Sequence, residues 1–213
     1  MAEVPYDSTT NPSAVMDDWI KQFVANHHPD LGRSGSVCPF VKHALQIGTL
    51  RMEESDIEPN PESLHKRMLE AKTRFLLDQT RITSESERTH SSVVIVFPRF
   101  TTPEHAMLMD SAQTSLKIEY MKDGLMIGQF HPYQDSPGLH NSNFRPNRTP
   151  ASAFAFVIRN MVSSDSIFIY KNLPTDKVPL AAGAVLERFS SVLPPGVIEE
   201  LKSATRDPWR KMS

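Results

Sequence analysis

The chain has 213 residues, of which 39% are hydrophobic and 23% charged, and its formal net charge is −2. These values fit one globular domain and give no electrostatic reason to expect nucleic acid or an anionic membrane as partner. No apolar run approaches the ~20 residues of a membrane span, and the first residues lack the features of a signal peptide. With a single cysteine there is no internal disulfide framework. We therefore expect a cytoplasmic protein.

The first part of the chain predicts helices and one strand. We expect residues 1–10 to be a disordered tail and residues 11–213 to form a single α+β domain. Asn11-Pro12 supplies a capping residue and a first helical position, and an apolar stripe at helical spacing follows. A second helix is predicted after Pro39, a short strand at residues 49–53, and a third helix from Asn60-Pro61.

The middle of the chain alternates strand, helix and strand. Residues 93–97 are consecutive apolar residues, β-branched or aromatic, which is typical of a strand buried on both faces. The polar stretch at 80–91 that precedes them is predicted to be exposed. Thr102-Pro103 begins another capped helix, Gly124 closes it, and residues 125–130 form the next strand.

A long loop follows this strand and leads to the last elements. Proline, glycine, asparagine and arginine are frequent between His131 and residue 152, and such loops between rigid strands often hold functional sites. Strands are predicted at 153–158 and 167–170, and helices over 176–192 and 195–204. The order of elements predicts an α+β sandwich with one mixed sheet, in which the strands at 93–97, 125–130 and 153–158 are neighbours.

His131 is the first candidate site residue, because the strand before it brings it to an edge of the sheet. A neutral imidazole at this position could ligate a metal or heme iron, or act as a general base. The alternative is a structural histidine that bonds a loop carbonyl.

Cys38 is the second candidate. In a Cys-Pro pair at a loop-to-helix junction, the proline turns the chain away and leaves the cysteine sulfur pointing toward a possible ligand. A helix N-terminus also lowers the pKa of a thiol. The alternative is a small, buried, apolar residue. Cys38 and His131 each close a turn marked by proline, so we predict that both face one cavity.

Four arginines form the third group of candidates. Arg145 and Arg148 lie in the long loop, Arg159 ends the next strand, and Arg33 precedes Cys38. Their planar guanidinium groups suit a carboxylate or heme propionates. Solvated surface arginines are the equally open alternative.

Two blocks of sequence together resemble known families. HPDLGRSGSVCPFVKHAL at 28–45 and GLMIGQFHP…PGLHNSNFRP…TP at 124–150 are similar to a family from microbial natural-product gene clusters that has no settled activity. A second similarity is to the YqcI/YcgG-like heme proteins, which include N-hydroxylases of arginine and related amino acids. Its matching positions are Cys38-Pro39-Phe40, Gly128, His131-Pro132, Arg145 and Arg148. The sequence departs from that pattern where Tyr133-Gln134-Asp135 replaces an expected Ser-Arg.

This resemblance implies a heme-dependent oxygenase of specialised metabolism that acts on a small molecule such as an amino acid or amine. His131 would be the axial ligand of the iron, and Cys38 would line the pocket or supply the ligand instead. Arg145 and Arg148, with Arg33 and Arg159 in the same class, would hold propionates or a substrate carboxylate. Two other hypotheses stay open: a non-catalytic protein that binds a small molecule or a partner, and a cofactor-free enzyme with His131 as acid/base. Neither nucleic acid nor membrane is expected as partner, and a homodimer is left open.

Overall fold

The computed structural model of the protein describes residues 11–168 and 173–206. Within them, one mixed sheet has the strand order β1-β2-β4-β3. Its strands are β1 (Leu50–Glu54), β2 (Ser92–Val96), β3 (Leu125–Phe130) and β4 (Ala155–Asn160). β1 runs parallel to β2, whereas β4 runs antiparallel to both β2 and β3. The predicted α+β class is confirmed, and so is the adjacency of the three predicted strands.

Seven α-helices surround the sheet in the described part of the chain. They are α1 (Pro12–Trp19), α2 (Val41–Gln46), α3 (Pro61–Gln79), α4 (Glu85–His90), α5 (Pro103–Lys122), α6 (Val178–Phe189) and α7 (Pro195–Arg206). The predicted caps of three of them form, because the side chains of Asn11, Asn60 and Thr102 each accept a backbone N–H of the first turn. After Trp19, α1 continues as a π-helical turn over Ile20–Val24.

The sheet lies between two layers of helices because its strands alternate their side chains. In β2, Val93 and Ile95 join the core cluster with α3 and α5, whereas Val94 and Val96 join the cluster with α1. β4 alternates in the same way. We call these two sides of the sheet the α5 face and the α1 face.

The outer strand β3 is covered by α5, α6 and α7. Met126 of β3 and Met121 of α5 pack in a cluster with the apolar residues of α6 and α7. On the edge itself, Nε2 of Gln113 donates a hydrogen bond of 3.1 Å to the carbonyl of Ile127. α5 therefore satisfies part of the strand edge that no neighbouring strand pairs.

One prediction on local structure was wrong. The stretch at 80–91 is largely exposed, as predicted, and it contains α4, whose first turn is capped by the hydroxyl of Ser84. The predicted strand at 167–170 begins inside a 3-10 helix, Ser163–Phe168. The carboxylate of Asp165 accepts the N–H of Val162 at 2.8 Å, and such a local bond favours a turn over a strand.

Some predictions lie outside the described residues. These are the disordered tail at 1–10 and the second half of the strand at 167–170. No helix among the described residues is both long enough and apolar enough to cross a membrane.

Candidate functional site

The alternation of β3 places His131 on the α5 face. Leu125 and Ile127 pack in the core cluster on that face, and Gln129 and His131 continue the same set of alternate positions. Both polar side chains reach Asp110 of α5. Nε2 of Gln129 donates to Oδ1 of Asp110 at 2.7 Å, and Nε2 of His131 lies 3.0 Å from the same oxygen.

The Asp110 carboxylate is held by three side chains. Besides Gln129 and His131, Gln134 donates its amide to Oδ1 at 3.3 Å. Partial burial opposes ionisation of Asp110, but the hydrogen bonds from His131 and the two glutamines outweigh it and hold its pKa below the usual value. An ionised carboxylate only accepts hydrogen bonds, so Nε2 of His131 carries the proton that they share.

His131 is completely enclosed by protein. Its exposed fraction is 0%, and its ring lies nearly parallel to that of Phe154, with the centroids 6.2 Å apart. Nδ1 is buried and has no hydrogen-bond partner. A buried polar atom without a partner is uncommon in folded proteins and destabilises them, which suggests a functional reason for this one. In a neutral imidazole protonated at Nε2, Nδ1 keeps a free lone pair.

An open groove runs along α5 and begins at Asp110. The side chain of Asp110 is 48% exposed, in contrast to that of His131. The groove has a volume of about 910 Å³. It is lined by Ser111, Thr114 and Ile118 of α5 and by Leu180 of α6. A volume of this size is within the range of small-molecule sites, and Asp110 is the group that joins it to His131.

A row of buried polar residues extends along α5 from Asp110. Gln113 and Lys117 follow it at intervals of three and four residues, and both are almost fully buried. Burial lowers the pKa of Lys117 to about 8, and the carboxylate of Asp165 opposes part of that shift. α5 thus faces the outer edge of β3 with polar groups as well as apolar ones.

Cys38 lies on the other side of the sheet. It packs against the cluster on the α1 face, among residues that include Trp19 and Val94. The prediction that Cys38 and His131 face one cavity is wrong, because His131 contacts Asp110 on the α5 face whereas Cys38 packs on the α1 face.

Arg159 is paired inside the protein. Its guanidinium donates to both carboxylate oxygens of Asp165, at 2.8 and 2.6 Å. Burial opposes its charge, but Asp165 outweighs burial and Cys38 adds to the effect, so the pKa of Arg159 is raised. Arg159 is therefore already bound to a carboxylate of the chain itself.

The remaining arginines bind groups of their own loops. Arg33 donates to the carbonyls of Ser34 and Val37. Arg145 and Arg148 converge on the carboxylate of Asp135, with bonds of 2.9 and 2.8 Å to the same oxygen.

The two sequence blocks at 28–45 and 124–150 contact each other in the structure, although Cys38 and His131 do not. The ring of His28 stacks on that of Phe144 at 4.9 Å, and the amide of Asn141 donates to the carbonyl of Asp30 at 2.8 Å. Gly32 lies so close to His140 that a Cβ on it would be 2.8 Å from the carbonyl oxygen. The long loop is thus docked on the loop before Cys38.

The described conformation does not fit a heme at His131. Nε2 donates its proton to Asp110, and Nδ1 is enclosed, so neither nitrogen has room beside it for a porphyrin. Among the described residues, no group of three or more His, Cys, Asp or Glu side chains is placed to hold a metal ion, which does not bear on heme because its iron needs a single protein ligand. A bound heme would require the loop after His131 to move.

Sequence reasoning missed Asp110, whose carboxylate contacts His131. A usable signal is present in α5, where Asp110, Gln113 and Lys117 interrupt an otherwise apolar side of the helix at helical spacing. Asp135 was also missed, since an acidic residue in a polar loop is unremarkable without its two arginine partners.

Comparison with known proteins identifies the family of this chain. Neither the curated proteins nor the solved structures include a match to it. A family model with the description "Domain of unknown function (DUF6875)" matches residues 13–196, which include both sequence blocks, the whole sheet and the Asp110–His131 pair. Because the match covers most of the chain, the protein belongs to the DUF6875 family.

Proposed function

We propose that the protein is an enzyme that acts on a small molecule, with His131 as general acid/base and Asp110 as the carboxylate that orients it. The observation that supports this proposal is the 3.0 Å contact between Nε2 of His131 and Asp110, together with a Nδ1 atom that is buried and unpartnered. A carboxylate behind an imidazole is the arrangement that histidine bases share in unrelated enzymes.

The chemistry follows from the protonation of the pair. Nε2 keeps its proton in the hydrogen bond to Asp110, so Nδ1 is the nitrogen of His131 that can accept a substrate proton. The resulting imidazolium would be stabilised by the Asp110 carboxylate, which Gln129 and Gln134 keep in place. The same imidazolium can return the proton to a leaving group or an intermediate.

Access to Nδ1 requires movement of the loop at residues 132–153. The loop closes over His131, whose carbonyl accepts the backbone N–H groups of Gln134 and Thr149. A small substrate needs a smaller opening than a porphyrin does, and for this reason we prefer acid–base catalysis without heme. The groove beside Asp110 offers space for the rest of a substrate.

The test is substrate depletion from a complex mixture of metabolites. The wild-type protein and the variants His131→Gln and Asp110→Asn would be incubated with the mixture, and mass spectrometry would identify the compounds that are consumed. We expect consumption by the wild type that both variants lose, and no loss in His43→Gln, which changes a histidine remote from the pair. If folded His131→Gln consumes the same compounds, the acid/base role is refuted.

A heme-dependent oxygenase of natural-product metabolism is the second candidate. It is favoured by one observation, since metal-bound histidines usually donate their other ring N–H to a carboxylate, as His131 does to Asp110. Hemin titration separates the candidates. A Soret band that is lost in His131→Ala would favour the oxygenase. A band that persists in His131→Ala and disappears in Cys38→Ala would assign the iron to Cys38.

A further inference from the structure

The turn in the long loop sets two guanidinium groups side by side. The N–H of Arg148 donates to the carbonyl of Arg145 at 3.2 Å, and Pro146 occupies the second position of this four-residue turn. Proline is favoured there because its fixed φ matches the turn. Arg145 and Arg148 are thus held close to each other by the backbone.

Carbonyl groups of the loop fix the orientation of both arginines. Arg145 donates to the carbonyls of Ser142 and Phe144, and Nε of Arg148 donates to the carbonyl of Gln134 at 3.0 Å. Each guanidinium therefore keeps further N–H groups for a second partner. Two planar guanidinium groups that are positioned in advance form a strong site for an oxyanion.

The group that fills this place belongs to the chain itself. Asp135 accepts Nε of Arg145 and Nη2 of Arg148 on the single oxygen Oδ1. Its side chain is 78% exposed, whereas those of Arg145 and Arg148 are 26% and 32% exposed. The bonds from Arg145 are the main reason that the pKa of Asp135 is lowered, so it is an anion at neutral pH.

We propose that Arg145 and Arg148 form a binding site for the carboxylate or phosphate group of a ligand, and that Asp135 occupies this site until the ligand displaces it. The mainly buried arginines stay where the loop carbonyls hold them. The exposed Asp135 side chain can rotate into water with little loss of packing. This inference does not rest on the acid/base role of His131.

An internal competitor weakens the binding of any external anion. A group tethered by a short stretch of chain competes at an effective concentration on the order of mM. The wild type should therefore bind simple anions weakly. Asp135→Asn removes the negative charge with little change in shape, and should bind them at least about tenfold more tightly.

The experiment uses isothermal titration of the whole protein with inorganic phosphate and with succinate, at constant ionic strength set by sodium chloride. These two probes distinguish a phosphate ligand from a carboxylate ligand. We expect Asp135→Asn to gain affinity for one of them, and the triple variant Asp135→Asn/Arg145→Gln/Arg148→Gln to lose the gain.

The matched control is Glu58→Gln. Glu58 is also an exposed carboxylate, but it is bound to one arginine, Arg99, which is itself exposed. Removal of the Glu58 charge should therefore create no anion site. The proposal is overturned if Asp135→Asn gains no affinity, if the gain persists without the two arginines, or if Glu58→Gln gains as much. Thermal unfolding covers the remaining case. If Asp135→Asn unfolds at a lower temperature than the wild type and phosphate does not raise that temperature, Asp135 only holds the loop in place and the proposal is wrong.

Discussion

Arg159 and Asp165 are joined by two hydrogen bonds that fix the end of β4 to the turn after it. Asp165 is only 2% exposed. We expect Asp165→Asn to lower the free energy of unfolding by roughly 3 kcal/mol, because it leaves a largely buried guanidinium without its counter-charge. Denaturant titration measures this. Asp176→Asn, which removes an exposed partner of Lys177, should have little effect, and equal losses in both variants would contradict the prediction.

Gly32 and Gly48 form a matched pair for the contact between the two loops. Both have positive φ, +76° and +70°, but only Gly32 has a neighbour, the His140 carbonyl, that an added Cβ would meet. Gly48→Ala should destabilise the fold by roughly 1–2 kcal/mol through backbone strain. Gly32→Ala should add a further ~1–3 kcal/mol through the clash. If denaturant titration gives the same loss for both, the close approach of Gly32 to His140 is wrong.

The pKa of Lys117 predicts how stability depends on pH. The pKa of Lys117 is about 8 in the folded protein, whereas that of a lysine in the unfolded chain is 10.5. Between these pH values the unfolded chain therefore holds more protons than the folded one. The free energy of unfolding should therefore rise with pH in this interval and be insensitive to Lys117 below it.

Lys117→Met removes this titration. Between pH 8 and pH 10, we expect the stability of the wild type to increase relative to that of Lys117→Met by roughly 2 kcal/mol. Lys202→Met changes an exposed position on α7, and the plot of its stability against pH should run parallel to that of the wild type. Denaturant titrations at several pH values give both differences. Parallel curves for Lys117→Met as well would show that Lys117 has an ordinary pKa.

Tyr120 connects the two helices of the α5 face. Its hydroxyl donates to the carbonyl of Met68 at 2.6 Å in a fully buried position. Tyr120→Phe keeps the ring and removes this bond, so we expect a loss of about 1 kcal/mol in the free energy of unfolding. Tyr133→Phe, at a position 49% exposed, is the control and should change little. A loss no larger than the control's would contradict the assigned bond.

Much of the fold could be predicted because it is encoded locally. Asn60-Pro61 and Thr102-Pro103 specify helix starts, and the run at 93–97 is apolar enough to require burial on both faces. The error at 167–168 arose because the apolar Ile167 and Phe168 suggested a strand, whereas the Asp165 carboxylate closes a local turn just before them.

The site was harder to predict because it depends on register and on distant partners. A shift of one position in a strand moves a side chain to the other face, so His131 and Phe130 point in opposite directions. Phe130 contacts Trp19 on the α1 face, at 5.2 Å between ring centroids, whereas His131 meets Asp110, 21 residues earlier in the chain. No local pattern connects residues so far apart.

The position of β4 has a consequence for synthesis of the chain. β4 lies between β2 and β3, although both are made before it. A nascent chain that ends before Ala155 thus holds two apolar strands with no partner between them. Unpaired apolar strands are the species that aggregate or recruit chaperones, so the interval in which residues 131–160 emerge from the ribosome is the vulnerable stage of folding.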